Sequence, residues 1–111
     1  MARVLVLTDS KGLTADVLPS LALLQHTVRL AQAEASALLD APESEIVFID
    51  VRRDLTAKKS LMRLINATGV STPIILITTE GGLPAINSDW GAADVILDTA
   101  GPAEVDARIR I

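Results

Sequence analysis

The chain has no cysteine and no tyrosine, one tryptophan, one phenylalanine and one histidine. Without cysteine there is no disulfide and no thiol chemistry, which fits a cytoplasmic protein. The lone His26 has no second histidine or cysteine with which to build a metal site or a triad. Positive charge is also scarce. Ten basic residues face 14 acidic ones, for a formal net charge of −4. The only basic pairs are Arg52-Arg53 and Lys58-Lys59, so this segment is a poor direct partner for nucleic acid. No apolar run approaches the ~20 residues that span a bilayer, and the N-terminus lacks a signal-peptide pattern.

What is present is aliphatic. Of the 111 residues, 50% are hydrophobic, mostly Ala, Val, Leu and Ile. That length supports one domain, which buries somewhat under ~70% of the surface its unfolded chain exposes. The aliphatic content is rich for a monomer and points to a covered apolar patch.

The rest is arranged around Glu45 to Asp50, EIVFID. An unbroken apolar run ending in one carboxylate reads as a strand buried on both faces, as in a parallel sheet. Asp50 then lies at a strand's carboxyl end, where open α/β sheets place their chemistry. Before it, Arg3 to Leu7 reads as a central strand followed by the polar Thr8, Asp9 and Ser10. A short helix over Leu18 to Leu24 is expected, with Pro19 in its first turn. His26 to Ala31 alternates as an edge strand, and Gln32 to Leu39 reads as an Ala-rich helix stopped before Pro42. After it, Thr56 is the expected cap of a helix from Ala57 to Thr68 with Leu61, Leu64 and Ile65 buried, closed by Gly69. Pro73 to Thr79 is a fourth strand, Leu83 to Asn87 at most a short helix, and Ala93 to Leu97 a fifth strand. Pro102 to Ile111 is a last helix with acids before bases, as its dipole prefers. Five strands alternating with helices give a doubly wound parallel sheet with right-handed crossovers. The last helix has no stop signal and reads as truncated, cut from a longer chain.

This topology brings Thr8, Asp9 and Ser10, then Asp50 and Arg52, then Thr78 and Thr79, then Asp98 and Thr99, to one crevice. With these residues the order of motifs resembles a response-regulator receiver domain, with strand order 2-1-3-4-5. Asp50 falls at that family's phosphoacceptor position and Thr78 at its switch hydroxyl. PIILITT matches the fourth strand, and WGAADVIL matches the family's G-A-D-D-Y-L segment. PAEVDARIRI matches the OmpR-type string E-L-x-A-R-I-R-A through Glu104, Ala107, Arg108, Ile109 and Arg110. Within that subfamily HTVRLA, the SDWG turn and GPAEVDARIRI are most similar to the actinobacterial GlnR-type nitrogen regulators. The resemblance covers essentially the whole chain. It implies a cytoplasmic regulatory domain, residues 1–111, of a transcriptional regulator. A C-terminal winged-helix DNA-binding domain is expected beyond it, with RNA polymerase as a further partner and no membrane contact.

The receiver pattern is broken at its charges. Such domains carry two adjacent acids after the first strand, which hold magnesium with the phosphoacceptor. Here the first is Thr8 and only Asp9 remains, one anionic ligand too few for a cation that demands near-octahedral oxygen ligation. The family's lysine after strand five aligns with Asp98. Arg52, two residues past Asp50, faces the same way on an extended segment and offers a permanent counter-charge, with Thr8 as a second donor. Asp50 is therefore expected to be a structural anion, with no cofactor and no metal. The alternative is a conventional magnesium-dependent phosphoacceptor.

Other residues have plain readings. Asp9 is a metal ligand or a loop and cap residue. Thr78 is a switch hydroxyl or a backbone-bonded one. His26 is a strand-edge side chain, Lys58-Lys59 a solvated helix face, and Trp90 loop packing. Gly81-Gly82 is too weak a pattern for a phosphate loop. A flavodoxin-like sensor or enzyme would need several placed polar groups in a pocket, and the sequence offers too few. The resemblance also implies a twofold homodimer through helix four, strand five and helix five. Glu104, Ala107, Arg108 and Ile111 form one stripe of the last helix, while Val105 and Ile109 face the sheet. Asp94 and Arg108 match a charge pair that crosses such dimers. Pro84 and Ala93 replace charged members of the usual set, so apolar contact should count for more.

Overall fold

The computed structural model describes residues 2–41 and 43–110. Five strands, β1 (Arg3–Thr8), β2 (Thr27–Gln32), β3 (Ile46–Asp50), β4 (Ile74–Thr78) and β5 (Asp94–Leu97), form one sheet in the order β2-β1-β3-β4-β5. Every pairing is parallel. The order reverses between β1 and β3, and this switch point places the ends of those two strands beside each other. Val4 lies against Ile46 and Leu7 against Ile49.

Alternation along the strands splits the core into two layers. Val4, Val6, Ile46, Phe48, Ile75, Ile77 and Ile96 pack on one face with Val17, Leu18, Leu21 and Val105. Leu5, Leu7, Val47, Ile49, Ile74 and Leu76 pack on the other with Leu61, Met62, Ile65 and Trp90. Covered faces on both sides explain why β3 and β4 are buried at every position and read as solid apolar runs.

The helices depart more from expectation. Helix α1 is Thr14–Val17, and a 3-10 segment follows at Pro19–Leu23. The expected helix over Leu18 to Leu24 does not form as one piece. Leu18 is not helical (φ −142°, ψ 88°), since the residue before proline is driven from helical angles. Strand β2 runs on to Gln32, leaving only the single turn α2 (Ser36–Leu39) of the expected Ala-rich helix. Pro42 and Ile111 lie outside the described residues.

Helix α3 (Leu55–Ala67) begins before Thr56, because the cap is Asp54, whose carboxylate accepts the Ala57 N–H. Its buried stripe is Lys58, Leu61, Met62 and Ile65, whereas Leu64 is 55% exposed. Between β4 and β5 the chain makes two 3-10 turns, Glu80–Ala85 and Ser88–Trp90. Two glycines and Pro84 in the first turn deny it an α-helix. Helix α4 (Pro102–Arg110) closes the described chain, with Val105 buried and Ile109 packed on the same layer.

Candidate functional site

Asp50 ends β3 and is 6% exposed. Its Oδ1 accepts from Arg52 Nε at 2.8 Å and from the Arg52 backbone N–H at 3.1 Å. Its Oδ2 accepts from Thr8 Oγ1 at 2.7 Å and Arg52 Nη2 at 3.0 Å. A carboxylate has about four acceptor positions, so these four donors fill it. The Thr8 hydroxyl itself accepts the Ser10 N–H at 2.9 Å, which aims its proton at Asp50. Burial pushes the Asp50 carboxyl up, but the bonds from Arg52 and Thr8 outweigh it and hold it below its ordinary value of 3.8.

Arg52 also reaches Asp98 through Nη1 at 3.4 Å and the Asp16 carbonyl through Nη2 at 3.3 Å. One guanidinium thus joins β3, α1 and the loop after β5. Its bonds to Asp50, and more weakly those to Asp98, raise its own affinity for a proton. Asp98 therefore serves Arg52.

Asp9 takes a different partner. Lys58 Nζ donates to its Oδ2 and, at 3.3 Å, to the Arg53 carbonyl. Lys58 is 4% exposed, so the solvated-face reading of Lys58-Lys59 fails for this residue. The ammonium lies four residues past the cap, on the same stripe as Leu61, Met62 and Ile65, and that spacing is the signal a sequence reading could have used. Magnesium does not fit here. Both oxygens of Asp50 are committed, Asp9 is bound to an ammonium, and no group of three His, Cys, Asp or Glu ligands forms among the described residues.

Thr78 is 1% exposed and its hydroxyl has no partner among the described residues, so the expected backbone bond is not made. Gly82 lies so close that a Cβ there would collide with Thr78 Oγ1. Thr79 instead caps the following turn, accepting the Gly82 N–H at 3.2 Å. Trp90 packs in the loop as expected, 2% exposed, with Nε1 donating to the Ala85 carbonyl.

His26 is more than a strand-edge side chain. Its Nδ1 accepts the Ala2 N–H at 3.0 Å, so the proton is on Nε2, which faces Asp106 Oδ1 at 3.0 Å. The bond from His26 and the charge of Arg110 hold Asp106 below its ordinary value. Eighty residues separate the pair, so no local pattern announces it.

On the opposite edge of the sheet, Arg108 pairs with Asp94 and, at 3.6 Å, with Glu104 of its own helix. The bond to Asp94 raises the proton affinity of Arg108. Ala107 is half-buried beside them. An open groove of about 470 Å³ runs past Asp94, Arg108 and Ile109 at the amino ends of β3 and β4, away from Asp50.

The sheet order is that of response-regulator receiver domains. Solved receivers share the fold. The receiver domain of NtrX from Brucella abortus has 22% identity and a TM-score of 0.70, covering 96% of each chain. The receiver of the Francisella response regulator 1452 has 16% identity and a TM-score of 0.73, covering 99% of this chain and 94% of that one. Larger NtrX from Brucella abortus, in complex with ADP, has 24% identity and a TM-score of 0.71 over 97% of this chain, which spans only 26% of it. No curated protein sequence matches.

Residues 2–111 match the family described as transcription regulator GlnR, N-terminal domain, and the chain belongs to it. That family is the N-terminal domain of a transcription regulator. Among the described residues no helix is long and apolar enough to cross a membrane.

Proposed function

We propose that this domain is the dimerising half of a nitrogen-control transcription regulator and works without phosphorylation. The observation that carries this reading is the Arg52 guanidinium, bound to both oxygens of Asp50 while also touching Asp98. In the network of Asp9, Asp50 and Asp98 with Arg52 and Lys58, acids already exceed bases by one. A phosphoryl group would add roughly two more negative charges and would have to displace Arg52. Asp50 is a structural anion that ties β1 to the loop after β3, and Asp98 extends the tie to the loop before α4.

Dimerisation is assigned to the face of Asp94, Glu104, Ala107, Arg108 and Ile111, in a twofold contact. Arg108 and Asp94 would exchange partners across the axis, giving register more than affinity. DNA is bound by a C-terminal winged-helix domain, not by this acidic segment. The buried Thr78 hydroxyl, without a partner among the described residues, favours a conventional phosphoacceptor instead. Acetyl phosphate with magnesium separates the two, read by intact mass. The protein stays unmodified in this reading, and stoichiometric modification of Asp50 refutes it.

A further inference from the structure

Arg52 accounts for one acid at the switch point, and the second also has a private cation. Lys58 is the one buried amine among the described residues. Its stem lies in the apolar stripe of α3, and its ammonium bonds Asp9 and the Arg53 carbonyl. A lysine is seldom fully buried unless paired, because an uncompensated ammonium is costly away from water. Two cross-links thus tie the end of β1 and the residue after it to the end of β3 and the start of α3. Thr8 joins Asp50, and its neighbour Asp9 joins Lys58 and, through it, Arg53. The loop they hold contains Asp54 in a left-handed conformation (φ 50°), which persists only where its surroundings fix it.

We propose that Lys58 is a second internal counter-ion and a positioning residue: it withholds Asp9 from divalent cations as Arg52 withholds Asp50. This rests on the reading of Asp50 as permanently neutralised. The two side chains together supply the positive charge that a bound divalent ion would otherwise bring. Removing one leaves one acid still engaged. Removing both frees Asp9 and Asp50 together.

The test uses Mn²⁺ as the probe, titrated into wild type, Arg52→Gln, Lys58→Met and the double variant. Free Mn²⁺ is followed by electron paramagnetic resonance, and folding by circular dichroism. Where Lys58→Met does not fold, Lys58→Gln takes its place. The expected result is no saturable binding to wild type and at least tenfold tighter binding to the double variant than to either single one. Adding Asp9→Asn to the double variant should abolish it. A folded double variant that binds no better than Arg52→Gln alone overturns the role of Lys58 and leaves the Asp50 reading intact. Saturable Mn²⁺ binding by wild type, lost on Asp50→Asn, overturns the Asp50 reading and this inference with it.

Discussion

Replacing Arg52 with methionine keeps much of the side-chain stem and removes the guanidinium from Asp50. Breaking a buried ion pair by deleting one partner costs about 3–5 kcal/mol. Two features of this site lower that figure. Asp50 keeps the Thr8 hydroxyl at 2.7 Å and the backbone N–H of residue 52 at 3.1 Å. The abandoned carboxylate also has an escape, since it can take up a proton. From an ordinary value of 3.8, protonation at pH 7 costs about 4 kcal/mol at ~1.36 kcal/mol per unit, which caps the penalty. The expected destabilisation is therefore about 2–4 kcal/mol, a large part of the ~5–15 kcal/mol that holds a domain together. Urea unfolding at fixed protein concentration, followed by the fluorescence of the buried Trp90, measures it.

The sign with pH follows from the direction of the shift. Wild-type Asp50 is depressed in the folded state, so its contribution is complete above 3.8 and is lost as pH falls below that value through the folded one. Without Arg52 the folded carboxyl rises, so wild type and variant should converge in stability as pH falls toward about 4. In the background of Asp50→Asn, the same Arg52→Met change should cost much less, because no buried charge is stranded. A loss below about 1 kcal/mol, or one that is flat with pH and unchanged in that background, would refute the assignment.

Arg108→Glu sets a carboxylate beside Asp94 and Glu104, and should shift sedimentation from dimer toward monomer; an unchanged dimer excludes this face. Gly82→Ala drives a Cβ into Thr78 Oγ1 and should cost about 1–3 kcal/mol by urea unfolding, with Thr78→Ala in the same chain recovering most of it. His26→Phe leaves the Ala2 N–H without its acceptor and Asp106 without its donor, and should lower the urea midpoint; an unchanged midpoint would show both bonds to be incidental.

The sheet is legible in the sequence because β3 and β4 are covered on both sides, and short solid apolar runs seldom arise in any other setting. Arg52 and Thr8 are legible for a related reason: one lies two positions past Asp50 on extended chain, the other ends the neighbouring strand. Asp98 is harder. Its alignment suggests repulsion of a phosphoryl group, but a long arginine side chain serves two acids at once, and only coordinates show that reach. Lys58 is hidden by Lys59 beside it, since paired lysines usually mean solvent while the stripe of α3 means burial. Asp54 escapes notice as a cap because nothing local demands a left-handed residue there. The helical turns lost at Pro19 and in the Gly81-Gly82-Leu83-Pro84 stretch have covalent causes, whereas those lost after Gln32 give way to the longer β2.

Arg52 reaches Asp50 from two residues along the same polypeptide. Its abundance at the carboxylate is therefore fixed by bond lengths and does not follow the solute composition around it. Chelators, dilution or a starved ion pool leave such a partner in place. The acid and its neutraliser are made together and degraded together, so resetting the pair takes new synthesis or a codon change.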